Sequence, residues 1–149
     1  MADLELLLAF TMAEAKEAEG IVGDEARVRE GIRTALGDSS VARYWVLETD
    51  SSELVGHMSV VKEWSDWNSG YYWWIQSMYI RPAFRGRALM DRLLHVVEDA
   101  ARQAGALELR LYVHAQNERA IKAYRKAGFS DSEYRIMTMS IRRTRGSNK

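Results

Sequence analysis

Cysteine is absent from this 149-residue chain, and proline occurs once, at Pro82. The first absence excludes disulfides, a thiolate nucleophile and any cysteine zinc site. The three histidines, His57, His95 and His114, are too scattered for a metal-binding set, so no metal is expected. Neither sign of charge is in excess, since 21 Lys and Arg balance 21 Asp and Glu. That balance points away from nucleic acid and from anionic membranes as partners. No apolar run approaches the ~18 residues of a membrane span. Leu6-Leu7-Leu8 follows the acidic Asp3 and Glu5, where a secretion signal would be basic. A cytoplasmic protein is the expectation. With 47% hydrophobic and 28% charged residues, the chain suits one globular domain with a full core. That domain is expected to span 1–141, followed by a basic, disordered tail over 142–149.

The remaining residues divide into recognisable elements. Thr11-Met12-Ala13-Glu14 reads as a capping box that opens a short helix closed by Gly20. Asp24 starts a second helix, with Val28, Ile32 and Leu36 on one face and Gly37 at its end. Val41–Glu48 and Leu54–Lys62 are strand-like around the polar turn Thr49-Asp50-Ser51-Ser52. A second turn near Asn68-Ser69-Gly70 leads into Tyr71–Ile80. Strict alternation in that strand would put Tyr71, Trp73, Ile75 and Tyr79 on one face and Tyr72, Trp74, Met78 and Ile80 on the other. Leu89, Leu93, Leu94, Val97 and Ala101 have helical spacing up to Gly105. Leu107–Val113 alternates as a strand, so strand, helix and strand form a parallel crossover. Asn117 caps a last helix that Gly128 ends, and Glu133–Ile141 is expected to form a final hairpin with Phe129 around Ser130-Asp131-Ser132.

The stretch between the strand ending at Ile80 and the helix opening near Leu89 carries the chemistry. A strand that turns directly into a helix leaves backbone N–H groups without partners, and the helix dipole makes that place attractive to anions. Arg81, Arg85 and Arg87 crowd the same turn, and guanidinium groups fork onto phosphate oxygens. The turn therefore reads as a phosphate cradle. Gly-Lys-Ser/Thr and G-x-G-x-x-G are both missing, so it is neither a Walker loop nor a dinucleotide fingerprint.

Arg85-Gly86-Arg87-Ala88-Leu89-Met90, followed by helix, strand and Asn117…Tyr124, resembles the GNAT superfamily of acetyl-CoA-dependent N-acetyltransferases. Ala88 stands where that family usually has glycine, and Met90 where it has glycine or alanine. The resemblance covers residues 41–141 and is strongest over 73–129. Glu63-Trp64-Ser65-Asp66-Trp67 with the later Trp73-Trp74-Ile75-Gln76-Ser77 resembles one particular branch of the superfamily. The fold implied is α/β (α+β): a mixed, mostly antiparallel sheet flanked by helices, with a β-α-β core that binds acyl-CoA.

The resemblance also implies roles. The backbone of Met78, Tyr79 and Ile80 would pair with the pantetheine arm like an added strand. Arg85, Gly86, Arg87, Ala88, Leu89 and Met90 would hold the pyrophosphate. Asn117 would contact CoA or order its helix, and Tyr124 would be the general acid for the departing thiolate. Asn117 and Tyr124 lie two helical turns apart on one face, and a phenol with a pKa of about 10 is a donor at neutral pH. Plain cap and core roles account for the same two residues.

An amine acceptor also needs a base, and Glu63, Asp66, Glu14 and Glu17 are all candidates, with Gln76 able to position a water. Trp64 and Trp67, with Glu63 and Asp66 beside them, would wall a pocket for a cationic amine through cation–π contact. Solvated helix charges and a packed hairpin explain the same residues without function. The leading expectation is acetyl transfer from acetyl-CoA to a primary amine, of a small molecule, by direct attack in a ternary complex. A CoA-binding regulatory module without turnover and a protein or peptide N-acetyltransferase are the alternatives. The acceptor's identity stays open, as does the assembly, a homodimer included.

Overall fold

The structure, a computed structural model, describes residues 2–141. The tail expected over 142–149 lies outside them. Helices α1 (Leu4–Glu19) and α2 (Glu25–Gly37) precede strands β1 (Arg43–Glu48), β2 (Leu54–Ser65) and β3 (Gly70–Ile80). A 3-10 turn, Pro82–Phe84, leads to α3 (Leu89–Gln103), β4 (Glu108–Leu111) and α4 (Glu118–Lys126). The sheet order is β1-β2-β3-β4, antiparallel except for the parallel β3–β4 pair. This is the expected mixed, mostly antiparallel α/β architecture with its β-α-β unit.

The first helix starts earlier than the capping box suggests. Leu4, Leu7 and Leu8 form an apolar stripe that is buried with Ile32 of α2, and burying it extends α1 back to Leu4. Thr11 is thereby placed inside the helix, and its hydroxyl donates to the Leu7 carbonyl at 2.8 Å instead of capping. Gly20 closes α1 in the left-handed conformation, φ 65°. The Asp24 carboxylate accepts from the Arg27 amide at 3.2 Å, as an N-cap should.

One irregularity in β3 decides where side chains go. Ser59 pairs with Ser77 but Val60 pairs with Ile75, so Gln76 is an extra residue, a β-bulge. The bulge reverses the alternation expected for this strand. Met78 joins Trp73 and Ile75 against Leu93, Val97 and Ala101 of α3. Tyr79 turns to the other face and packs with Phe10 of α1 and Leu54. At the end of β3, where Gly56 pairs with Ile80, the β2–β3 approach is close, and a Cβ on Gly56 would lie 2.7 Å from the Tyr79 carbonyl oxygen.

Two expectations in the second half are corrected. β4 is shorter than Leu107–Val113, with Tyr112 and Val113 exposed beyond it. Residues 130–141 form neither helix nor strand, and Tyr134, Ile136, Met137, Met139 and Ile141 are exposed. Alternation alone does not make a strand, because the ladder also needs a paired edge. Phe129 packs against the core cluster under α3.

Candidate active site

Gly86 and Ala88 take left-handed conformations, φ 77° and 57°, which fold the chain back on itself between Phe84 and α3. The amides of residues 86–91 accordingly have no backbone acceptor among the described residues. Ala88 occupies a conformation that costs an L-residue roughly 1–2 kcal/mol. Met90 packs its side chain into the core cluster, away from the amides, so the larger residue does not fill the cradle.

The three arginines of the turn have separate partners. Arg81 pairs with Glu53. Arg85 donates to the Ile80 carbonyl at 2.8 Å and to Glu17 of α1 at 2.8 Å. Arg87 lies over the Phe84 ring, 5.3 Å from its centroid, and makes no ion pair among the described residues. Arg87 is the turn's available cation, while Arg85 ties α1 to the end of β3.

The bulge also ends the β3–β4 ladder. Parallel pairing stops at Ile75 with Leu111, which leaves the β4-facing edge of residues 76–80 open. The Met78 amide on that stretch donates to Glu14 Oε1 at 3.2 Å. The Met78 sulfur accepts from the Tyr124 hydroxyl at 3.6 Å. Asn117 caps α4, accepting from the Ala120 amide at 3.2 Å. Two turns later Tyr124 is held edge-on to Phe129, with centroids 6.0 Å apart. A carboxyl and a phenol from opposite ends of the chain thus meet at one residue.

Both groups are shifted from their ordinary acidity. Burial pushes the Glu14 carboxyl up to about 7; the Met78 amide works against this and the charge of Glu19 adds to it. Burial, then the charge of Glu14, pushes the Tyr124 phenol above its usual value, so Tyr124 is a protonated donor at neutral pH.

A cleft of about 490 Å3 opens beside Glu14, between α1, α2 and the bulge, and its wall includes Thr11, Ile32, Tyr44, Gln76 and Ser77. Behind Ser77 is a buried polar group that sequence reading missed. His57 Nε2 lies 3.0 Å from the Ser77 hydroxyl, which is 2.6 Å from that of Ser59. His57 Nδ1 is buried with no hydrogen-bond partner among the described residues, and burial pushes the imidazole down to about 4. Two polar residues, Gln76 and Ser77, inside an aromatic strand were the visible signal of this arrangement. A second cleft, about 440 Å3, lies between Glu17, Glu19, His114, Gln116 and Asn117. The two clefts share Ala18 and Glu19.

The aromatic hairpin sits elsewhere. Trp64 is part of β2 and packs edge-on to Tyr71, with centroids 5.0 Å apart. Glu63 accepts from Trp74 Nε1 at 2.9 Å, and Asp66 and Trp67 are exposed at the tip, Trp67 at 92%. The Trp64–Tyr71 pair is seven residues from Met78, or about 20 Å along the strand. Of Glu63, Trp64, Asp66, Trp67 and Gln76, the structure brings Gln76 to the cleft.

An amide-lined turn at a helix start suits phosphate groups, and the open strand edge faced by a phenol and a half-buried carboxyl suits an extended ligand. The chain belongs to the acetyltransferase (GNAT) family, which it matches over residues 9–129. It is 30% identical over 99 residues to "Uncharacterized N-acetyltransferase YdgE" of Bacillus subtilis (strain 168), covering 66% of this chain and 62% of that protein. It is 28% identical over 113 residues to "Aminoalkylphosphonate N-acetyltransferase" of Salmonella typhimurium, covering 76% of this chain and 72% of the relative. A crystal structure of a possible acetyltransferase from Clostridium difficile 630 superposes with a TM-score of 0.88 at 26% identity, covering 94% and 92% of the two chains.

Proposed function

We propose that this protein moves an acetyl group from acetyl-CoA to the primary amine of a small molecule, by direct attack in a ternary complex. The observation that carries the reading is the convergence on Met78, whose amide and sulfur meet Glu14 and Tyr124 on an open strand edge. The amides of residues 86–91, without backbone acceptors, fit a pyrophosphate, and Arg87 adds an available cation. Acetyl-CoA supplies the activated thioester. The residues expected to hold it are Met78, Tyr79 and Ile80 along the pantetheine arm and Arg85 through Met90 around the phosphates, with Asn117 fixing α4. The Met78 amide, once released by Glu14, stabilises negative charge developing on the acetyl oxygen. Tyr124 donates its proton toward the departing sulfur.

A small acceptor suits the cleft of about 490 Å3 beside Glu14, which is flanked by two helices and largely apolar. The relative named for aminoalkylphosphonates acts on a small amine by its name, which supports the same substrate class. We assign Glu63 and Trp74, joined at 2.9 Å, to clasping the hairpin. The segment Glu63–Trp67 then marks a branch of the family and does not wall the acceptor site.

The test is thiol release from acetyl-CoA across a panel of arylalkylamines, aminoalkylphosphonates, polyamines, aminoglycosides and peptides. Turnover with one of the small amines is expected. Tight CoA binding with no turnover on any amine would favour a regulatory module, and preference for peptides would overturn the small-molecule reading.

A further inference from the structure

An acceptor amine arrives protonated, and four carboxylates are close enough in sequence logic to serve it, but the fold gives them different situations. Glu63 is bonded to Trp74 Nε1, Asp66 is exposed at the hairpin tip, and Glu17 is paired with Arg85 at 2.8 Å. Glu14 sits in the cleft beside the open strand edge, its Oε1 3.2 Å from the Met78 amide nitrogen. Resting on the acetyltransferase reading above, we propose that Glu14 is the general base, its carboxylate taking a proton from the acceptor's ammonium group in the cleft between α1, α2 and β3.

The Met78 amide lies on the open edge and the same residue's sulfur accepts from Tyr124; a thioester carbonyl accepting from that amide sets the reacting carbon next to Glu14. Glu14 must then give up that amide and turn toward the cleft. Among the described residues no cation lines the cleft to hold it charged. Glu19 of α1 adds negative charge. β1 presents the phenol of Tyr44, β3 presents Gln76 and Ser77, and α2 presents uncharged residues. Tyr124 of α4 is a neutral phenol, and His57 behind Ser77 is held neutral by burial. The amide was the contact favouring the carboxylate, so donor binding makes Glu14 more basic at the moment a base is needed. An alkylamine of pKa about 10.4 is neutral in only about one part in 2,500 at pH 7. In its carboxylate form Glu14 takes that proton and passes it to water, so turnover rises with pH as the donor-bound carboxyl loses its proton.

The step balances. One ammonium proton passes to Glu14 and then to solvent. The nitrogen lone pair forms the C–N bond while the C–S bond breaks. The second proton, lost as the nitrogen becomes an amide, replaces the one Tyr124 gives to sulfur. Amine cation and thioester become amide, thiol and one free proton.

Calorimetry of acetyl-CoA binding without acceptor, in buffers of different ionisation enthalpy near pH 7, reads the exchange directly. The wild-type protein should take up roughly 0.3–0.5 proton, and Glu14→Gln, which keeps the shape and the Met78 contact, should take up none. With phenethylamine as the acceptor probe, Glu14→Gln should lower kcat by ~10²–10⁴ and abolish the acid limb of kcat/KM near pH 7, with the acetyl-CoA Kd within about threefold. Wild-type binding with no proton uptake, or a variant with normal turnover and an unchanged acid limb, overturns the proposal. The uptake measurement on the wild type does not depend on the variant folding. If the wild type neither binds acetyl-CoA nor acetylates any amine, the acetyltransferase reading itself fails. If it does both and the variant matches it, the role of Glu14 alone fails.

Discussion

Replacing Glu14 by glutamine should change how stability depends on pH, whatever its effect on turnover. Burial raises the Glu14 carboxyl from 4.5 to about 7, so the folded state holds this proton more tightly than the unfolded chain does. Stability is then lost as pH rises from about 4.5 to 7. A shift of about 2.5 pH units at ~1.4 kcal/mol each amounts to about 3 kcal/mol. His57 acts with the opposite sign. Its imidazole is lowered from 6.5 to about 4, so the unfolded chain binds the extra proton and stability is gained as pH rises from about 4 to 6.5, an overlapping window, again by about 3 kcal/mol. In the wild type the two slopes oppose each other. In Glu14→Gln only the His57 slope remains, and the variant should become more stable than the wild type by about 3 kcal/mol at pH 8 relative to pH 4.5. Urea unfolding followed by tryptophan fluorescence between pH 4.5 and 8 measures both curves, and the difference between them cancels every group the proteins share. Parallel curves would refute the reasoning, because they would mean that Glu14 is not desolvated in the folded protein.

Tyr124→Phe removes only the hydroxyl that reaches the Met78 sulfur, so kcat should fall by ~10²–10⁴ with the acetyl-CoA Kd unchanged; near-normal turnover would remove the general acid role. Arg87→Ala should weaken acetyl-CoA binding by about 1.5–3 kcal/mol, the worth of a hydrogen bond to a charged group, as read by calorimetry. Arg85→Ala should cost less, since Glu17 and the Ile80 carbonyl already occupy that guanidinium; equal losses would contradict the division between the two. Gly56→Ala places a Cβ 2.7 Å from the Tyr79 carbonyl oxygen, and denaturation should register a loss of about 1–3 kcal/mol from the forced backbone shift.

What could be read from residue order alone was whatever a single turn or a single periodic face decides. The Asp24 and Asn117 caps are settled by a side chain meeting an amide three residues on. The left-handed Gly20 and the turn from Arg85 to Met90 are settled by local backbone conformation. The α3 stripe of Leu93, Val97 and Ala101 follows from a 3.6-residue period. Even the order of strand, helix and strand follows from lengths and polarity.

The geometry of the candidate site needed the tertiary structure, because it depends on segments distant in sequence. Gln76 is an extra residue only in relation to Ser59 and Val60 on the neighbouring strand, and that one insertion sends Met78 and Tyr79 to faces opposite to those alternation predicts. Glu133–Ile141 has a strand's alternation, yet no partner edge among the described residues makes it one. Glu14 looks like any solvated helix glutamate until α1 packs across β3, 64 residues away, and its carboxylate meets the Met78 amide. Charge patterns in a sequence do not record desolvation, which depends on what surrounds a group in space. The residue types for acyl transfer were legible in the chain, and only packing decided which carboxylate is poised to titrate near neutral pH.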